Sequence, residues 1–279
     1  MSTGGRIASQ WAGSFVDLLF PPQCVWCQRP TRIGQRLCHS CRQRFLNDYY
    51  RCQKCAAPLP KVLPNNDCVL CRAGKWRFST VVTLATYRGD MRRAVIMMKR
   101  KRFEPLRRAM ADLLGEKLQQ QWWPTHRLNS SSGVEESSNA DGSHAAATPA
   151  VANSPVLVPV PYHWSHGFSS AADTAELLAH GIATQTTWPV VQGAVRRVRK
   201  TAKQGVLTWA ERKANVHKAF ALKSAQEIRG RQVLLVDDVF TSGATAAELT
   251  RILLRGGAAG VSIAVVARAT GVRESPGME

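Results

Sequence analysis

No apolar run in this 279-residue chain reaches the ~18 residues that a membrane-spanning helix requires. The N-terminus also lacks the ordered basic region, apolar core and small-residue cleavage site of a secretory signal peptide. Residues 6–20 instead space their apolar side chains as an amphipathic helix, which we expect to dock onto the body of the protein. These absences predict a cytoplasmic protein with no transmembrane segment.

Acidic residues are scarce: 19 Asp and Glu stand against 38 Lys and Arg, which gives a formal net charge of +19. Such a balance favours polyanionic partners, namely nucleic acid, phosphorylated metabolites or an anionic membrane surface. The alternative is a basic surface that only maintains solubility.

Cysteine is missing from Trp76 onward, since all eight cysteines lie between Cys24 and Cys71. This shift predicts an N-terminal helix and cysteine-rich zinc-binding module over residues 1–75 and a second domain over residues 76–270. Lys and Arg are missing from residues 129–155, where Ser and Ala dominate. Because such a segment buries too little apolar surface to offset its ordering entropy, it is predicted to be a disordered insertion in the second domain.

The cysteines form four Cys-x-x-Cys pairs, separated by ten residues in the first half of the module and by twelve in the second. Two such pairs complete a tetrahedron of thiolates around zinc, and the site is structural because no position is left for water. Disulfides and redox-active pairs are the alternatives, but a cytoplasmic chain stays reduced and a redox motif does not occur four times. The pairing, in sequence order or interleaved, stays open. The predicted ligands are Cys24, Cys27, Cys38, Cys41, Cys52, Cys55, Cys68 and Cys71.

Basic and aromatic residues are mixed within the cysteine-rich module, for example Arg29, Arg42, Trp26 and Tyr50. This mixture suits a single strand of nucleic acid, whose backbone is charged and whose bases stack on aromatic rings. A solvated basic face on a metal-stapled scaffold is the alternative.

Apolar strand-like runs alternate with helical spacing through the second domain. The predicted strands cover residues 80–86, 156–160, 233–236 and 261–267, and the predicted helices cover residues 91–98, 106–118, 171–183 and 245–255. This alternation predicts an α/β fold with a mostly parallel sheet and helices on both faces.

The segment VLLVDDVFTSGAT, residues 233–245, leads a buried strand into two adjacent carboxylates, Asp237 and Asp238, and then into small residues. In an open parallel sheet, ligands bind at the carboxyl ends of the strands. The following helix N-terminus offers N–H groups to a phosphate, and the carboxylates accept hydrogen bonds from vicinal hydroxyls. The segment therefore predicts a ribose 5-phosphate site. A P-loop is excluded because no Lys follows the glycine.

All thirteen positions of this segment resemble the phosphoribosyl pyrophosphate (PRPP) motif of type I phosphoribosyltransferases. The resemblance implies a type I phosphoribosyltransferase-like sheet preceded by a small zinc-ribbon-like module. It also implies that Asp237 and Asp238 contact the ribose hydroxyls. The implied 5-phosphate contacts are Thr241, Ser242, Gly243, Ala244 and Thr245.

A cysteine-rich module ahead of such a domain resembles the ComF competence-protein family, and residues 20–27, 87–103 and 196–220 resemble further segments of that family. The last of these is strongly basic and can close over a leaving pyrophosphate as a hood. The hood candidates are Arg199, Lys203 and Arg212.

This resemblance implies PRPP or another phosphorylated ribose as ligand, with Mg²⁺ in an active enzyme, and a role in competence, DNA uptake or nucleotide metabolism. Residues 166–170 depart from the family's Arg-Gly-Phe-Asn-Gln pattern. Two interpretations therefore stay open. One is a phosphoribosyltransferase, a glycosyltransferase of the pentosyl class. The other is a non-catalytic protein that binds single-stranded DNA or senses nucleotides, with DNA and competence-machinery proteins as partners.

Overall fold

The computed structural model describes residues 21–46, 50–60, 68–125, 154–161, 174–199, 201 and 209–269. The predicted N-terminal helix, almost all of the predicted insertion, residues 166–170 and Lys203 lie outside these ranges.

Six β-strands occur in the described ranges. They are β1 (Val81–Thr86), β2 (Val156–Pro159), β3 (Val195–Arg197), β4 (Phe220–Leu222), β5 (Gln232–Phe240) and β6 (Gly260–Arg268). Four of them form a parallel sheet in the order β1-β6-β5-β2, and β3 pairs with β4 in a separate antiparallel sheet. The parallel α/β sheet predicted from the sequence is confirmed.

Seven α-helices accompany the strands in the same ranges. They are α1 (His39–Phe45), α2 (Val69–Gly74), α3 (Gly89–Met98), α4 (Glu104–Lys117), α5 (Thr174–Thr186), α6 (Trp209–Val216) and α7 (Ala244–Arg255). A 3-10 turn at Lys101–Phe103 leads into α4, which continues as a π-helical turn at Leu118–Trp122. In these ranges, no helix combines the length and apolarity needed to cross a membrane.

The sheet is buried on both faces, which explains why its strands read as continuous apolar runs. Alternate residues of β5 enter different cores: Leu234 and Val236 pack on the side of α4 and α5, whereas Val233 and Leu235 pack on the side of α7. Because neither face of the sheet is exposed, the carboxyl edge is where a ligand has access to it.

The two halves of the cysteine-rich module join opposite cores. Phe45 of the first half is fully buried with the residues of α3 and α4. Ala57 of the second half is buried with Val81 and Val265 on the other side of the sheet. The module is therefore part of the layers that cover the sheet.

One strand extends further than the sequence pattern predicts. The prediction ended it at Val236, but β5 continues through Asp237 and Asp238 to Phe240. The reason is pairing, since β6 remains in register with it up to the pair of Phe240 with Arg268. The acid pair therefore lies on a strand, which fixes its backbone more firmly than a loop would.

Candidate functional site

Four cysteine Sγ atoms converge in each half of the N-terminal module, and the four atoms of each set lie within 4.8 Å of one another. The sets are Cys24, Cys27, Cys38 and Cys41, and Cys52, Cys55, Cys68 and Cys71. Neighbouring Sγ atoms are 3.6 Å apart in the first set and 3.6 and 3.7 Å apart in the second. A Zn–S bond of about 2.3 Å gives a tetrahedral edge of about 3.8 Å. The donor sets therefore fit two structural zinc ions, paired in sequence order.

The acid pair lies at the carboxyl edge of the sheet, beside the lysine that follows α3. The backbone N–H of Asp238 donates to Asp237 Oδ1 at 2.8 Å, which holds the first carboxyl against the backbone of the next residue. Lys99, which directly follows α3, places its Nζ 3.0 Å from Asp238 Oδ2. Two carboxyls and one ammonium thus share a partly enclosed site.

Titration of this site is shifted by its burial. Burial, followed by the charge of Asp238, raises the pKa of Asp237 to about 8. Burial lowers the pKa of Lys99, but the nearby carboxylates, Asp238 first, more than offset this and leave the pKa above its ordinary value. At neutral pH, the site therefore combines a neutral Asp237 with the ion pair of Lys99 and Asp238.

Asp237→Asn is expected to stabilise the folded chain by an amount that grows as the pH rises from about 4 to about 8 and then levels off. The unfolded carboxyl ionises near its ordinary pKa of 3.8, whereas the folded one keeps its proton to about 8. The native chain therefore loses stability across this window and the amide does not. Thermal melts of both chains between these pH values test this, and a pH-independent difference in Tm contradicts it.

Residues 241–245, the phosphate loop, run from the end of β5 into the first turn of α7. Gly243 is the N-cap of α7 and has a φ of 76°, in the left-handed region that favours glycine. A Cβ added there would lie 2.7 Å from the Phe240 ring and 3.0 Å from the Trp76 ring. The start of α7 presents the positive end of the helix dipole, and the N–H of its first residue, Ala244, donates to Ser242 Oγ at 3.4 Å.

The predicted hood corresponds to β3, α6 and β4, elements that the sequence patterns did not predict. Arg199 Nη2 donates to the carbonyls of Asn215 and His217, at 2.9 and 2.8 Å, and so closes the end of α6. Arg212 is half-buried on α6, and Lys203 lies outside the described residues. Contact of the three hood candidates with pyrophosphate stays a prediction.

Three charged residues near the site were missed by sequence reasoning: Lys99, Glu248 and Arg268. Lys99 belongs to a run of basic residues in which nothing singles it out. Glu248 of α7 accepts a hydrogen bond from the Lys218 backbone N–H at 3.0 Å and so ties the hood to the helix of the phosphate loop. Arg268 does carry a signal, because it is a lone charge at the end of the apolar run VSIAVVA.

Comparison with known proteins agrees with this architecture. Residues 15–73 match the double zinc ribbon domain family, and residues 153–276 match the phosphoribosyl transferase domain family. The DNA utilization protein YhgH of Escherichia coli is 28% identical over 251 residues, which cover 88% of this chain and 96% of that protein. Competence protein F of Haemophilus influenzae is 34% identical over 118 residues, which cover 40% of this chain and 50% of that protein.

Among solved structures, the glutamine PRPP amidotransferase of B. subtilis, complexed with ADP and GMP, aligns with a TM-score of 0.32 and 20% identity. The alignment covers 57% of this chain and 26% of that protein, so the chain spans about a quarter of its length. The two domain matches and the relatives agree with the zinc-binding geometry and the sheet topology. The chain therefore combines an N-terminal double zinc ribbon domain with a phosphoribosyl transferase domain, and its relatives include the DNA utilization protein YhgH and Competence protein F.

Proposed function

We propose that the protein binds PRPP, or a closely related ribose 5-phosphate compound, at the carboxyl edge of the sheet. The observation that carries this proposal is the placement of two carboxyls, Asp237 and Asp238, near the end of β5, with the glycine N-cap of α7 five residues after Asp238. Carboxyl oxygens accept hydrogen bonds from two vicinal hydroxyls, and the N-terminus of α7 stabilises a phosphate. A ribose 5-phosphate carries both groups.

The charge balance of the site also fits such a ligand. Asp237 is neutral at neutral pH and Lys99 pairs with Asp238, so that an anionic ligand meets no uncompensated negative charge at the acid pair. Mg²⁺ bound together with PRPP would supply further neutralisation of the ligand's phosphate charges. Transfer of the phosphoribosyl group to an acceptor is the reaction class that fits this ligand. The candidates for stabilising the leaving pyrophosphate are Arg199, Lys203 and Arg212.

Calorimetric titration of the zinc-loaded full-length chain tests the proposal. PRPP with Mg²⁺ is expected to bind more tightly than ribose 5-phosphate, because it adds a pyrophosphate, and more tightly than pyrophosphate, because it adds the ribose hydroxyls and 5-phosphate. Ribose alone is expected to give no heat. Equal affinities for PRPP and pyrophosphate contradict a ribose 5-phosphate site, and the absence of heat with PRPP contradicts the proposal as a whole.

A second candidate function is binding of single-stranded DNA, and the basic surface of α3 favours it. Six exposed basic residues lie on α3 and the turn that follows it: Arg92, Arg93, Lys99, Arg100, Lys101 and Arg102. Backbone phosphates of a single strand match such a surface. The relatives' names, DNA utilization protein and Competence protein F, agree with a role that involves DNA.

The charge-reversed variant Arg92→Glu/Arg93→Glu is expected to lose most affinity for a single-stranded oligonucleotide at low salt, and to show a weaker dependence of log Kd on log salt. Arg255→Glu, at the exposed end of α7, is the control for the change in net charge. Fluorescence anisotropy over a salt series measures both slopes. Equal slopes for the native chain and the α3 variant rule out this surface as the binding site.

A further inference from the structure

Arg268, the last residue of β6, is 2% exposed. A buried guanidinium is costly unless its donors are satisfied. All of its described hydrogen bonds go to backbone carbonyl groups, those of Cys55, Phe240, Thr241 and Ala269. Its function in the fold is therefore to hold segments of backbone in place.

The segments that Arg268 holds are a zinc-binding turn and the phosphate loop. Its Nε donates to the carbonyl of Cys55 at 2.9 Å, and its Nη1 donates to the carbonyls of Phe240 and Thr241 at 3.1 and 2.7 Å. The guanidinium carbon also lies 4.6 Å from the centre of the Phe240 ring, which adds a cation–π contact. Cys55 is a predicted zinc ligand and Thr241 opens the phosphate loop, so one side chain bridges the two.

The position of the Cys55 carbonyl is set by the turn around the second cluster, the set Cys52, Cys55, Cys68 and Cys71. The Cys52 N–H donates to Ala57 O at 2.9 Å, and the Ala56 N–H donates back to Cys52 O at 2.9 Å. Ala56 has a φ of 54°, a left-handed conformation that a residue with a Cβ adopts only when its surroundings enforce it. Zinc bonds to both cysteines of this turn enforce such a shape.

A second contact route joins the same cluster to the loop. Trp76 follows α2, the helix that carries Cys71, and is 7% exposed. Its ring packs edge-on against Phe240, with 5.7 Å between ring centres, and lies against Gly243. The phosphate loop therefore packs against Trp76, a residue that follows the helix of the second cluster.

We propose that Arg268 is a positioning residue that transmits the zinc-bound shape of the second cluster to the phosphate loop. Zinc in this cluster then determines whether the loop is ready for a phosphorylated ligand, and Arg268 itself does not contact that ligand. The first cluster, Cys24, Cys27, Cys38 and Cys41, packs in the opposite core and has no such connection among the described residues. The part of this inference that concerns the ligand rests on the proposed function.

Arg268→Lys tests the connection, because one ammonium cannot replace a fork that donates in two directions. The matched control is Arg231→Lys, a half-buried arginine at the opposite edge of the sheet whose Nη2 donates to the Ser154 carbonyl at 2.9 Å. Without ligand, we expect amide hydrogen exchange of residues 241–247 to rise about tenfold in Arg268→Lys, as the loss of one charged hydrogen bond implies. Release of one of the two zinc ions to a chromogenic chelator is expected to accelerate, and the control is expected to match the native chain.

Ligand enters in a separate arm. Saturating PRPP with Mg²⁺ is expected to slow the release of one zinc ion from the native chain, since coupling between two binding sites is reciprocal. This protection is expected to disappear in Arg268→Lys and to persist in Arg231→Lys. If the native protein does not bind PRPP, the proposed function is wrong. The amide hydrogen exchange and the zinc release measured without ligand still test the role of Arg268.

One measurement needs neither a variant nor a ligand. It tests the connection between the second cluster and the phosphate loop even if Arg268→Lys does not fold. Zinc is withdrawn stepwise from the native chain while hydrogen exchange is followed in residues 52–71 and in residues 241–247. We expect both segments to lose protection together, when the second cluster loses its ion. Loss of zinc from residues 52–71 with an unchanged phosphate loop overturns the proposal, as does an Arg268→Lys chain with native loop exchange and native zinc release.

Discussion

The double variant Asp237→Asn/Asp238→Asn is expected to lose PRPP binding by about 10- to 100-fold, because a hydrogen bond to the charged Asp238 contributes about 1.5–3 kcal/mol, and the neutral Asp237 adds only the smaller contribution of an uncharged acceptor. The fold is expected to survive. Asn keeps the side-chain oxygen that accepts the Asp238 N–H, and the neutral form of Asp237 is already the one favoured by its burial. Calorimetry with PRPP and Mg²⁺ measures the loss.

Binding of pyrophosphate to the double variant distinguishes a loss of ribose recognition from a general loss of the binding site. It has no ribose hydroxyls, and in the double variant Lys99 is released from its ion pair with Asp238. Binding of pyrophosphate is therefore expected to stay equal or to strengthen while PRPP binding is lost. The control is Asp112→Asn, which removes a carboxylate of α4 that pairs with Arg36. This variant is expected to bind PRPP as the native chain does. Native affinity for PRPP in the double variant would remove the acid pair from the site.

Cys41→Ser is expected to reduce the zinc content from two ions per chain to one and to lower Tm by about 6–12 °C. Cys41 is 2% exposed and is a predicted zinc ligand in the first cluster. Structural zinc contributes about 10–16 kcal/mol of apparent binding free energy in isolated zinc fingers. If only about 3 kcal/mol of this reaches the whole fold, a shift of 2–4 °C per kcal/mol gives the stated range. Elemental analysis and thermal melts measure the two effects.

His39 provides the matched control for zinc, because it lies between Cys38 and Cys41 in sequence and is exposed at the start of α1. His39→Ala is expected to retain two zinc ions and the native Tm. A zinc content of two in Cys41→Ser, or of one in His39→Ala, would show that the first cluster has a different ligand set from the one assigned.

Much of the parallel sheet was predictable because its strands are buried on both faces, and burial on both faces leaves unbroken apolar runs such as Val233 to Val236. The small antiparallel pair β3 and β4 left no such trace. Each of these strands has only three residues, and β3 includes Arg196 and Arg197, so no alternation is long enough to detect. Their pairing is set by long-range contacts that local patterns do not record.

Some residues of the candidate site could likewise be predicted from the sequence, and others could not. Asp237, Asp238 and the phosphate loop are consecutive in sequence, so their chemistry could be predicted from residue types alone. Lys99, directly after α3, lies more than a hundred residues before the acid pair in sequence. Arg268, on β6, lies about thirty residues after it. Only the fold brings them there. The cysteines were predictable as zinc ligands, but their grouping into two sets required the Sγ positions.

The order of the strands has a consequence for synthesis of the protein. β6 comes last among the described strands, yet it lies inside the sheet, between β1 and β5. On the ribosome, β1 and β5 therefore emerge without the neighbour that joins them, and the sheet cannot close until residue 268 has been translated. The cysteine clusters are made more than 180 residues earlier and need only their own short turns to bind metal. When zinc is lacking, the cysteine-rich module of a nascent chain is thus expected to misfold before the parallel sheet has formed.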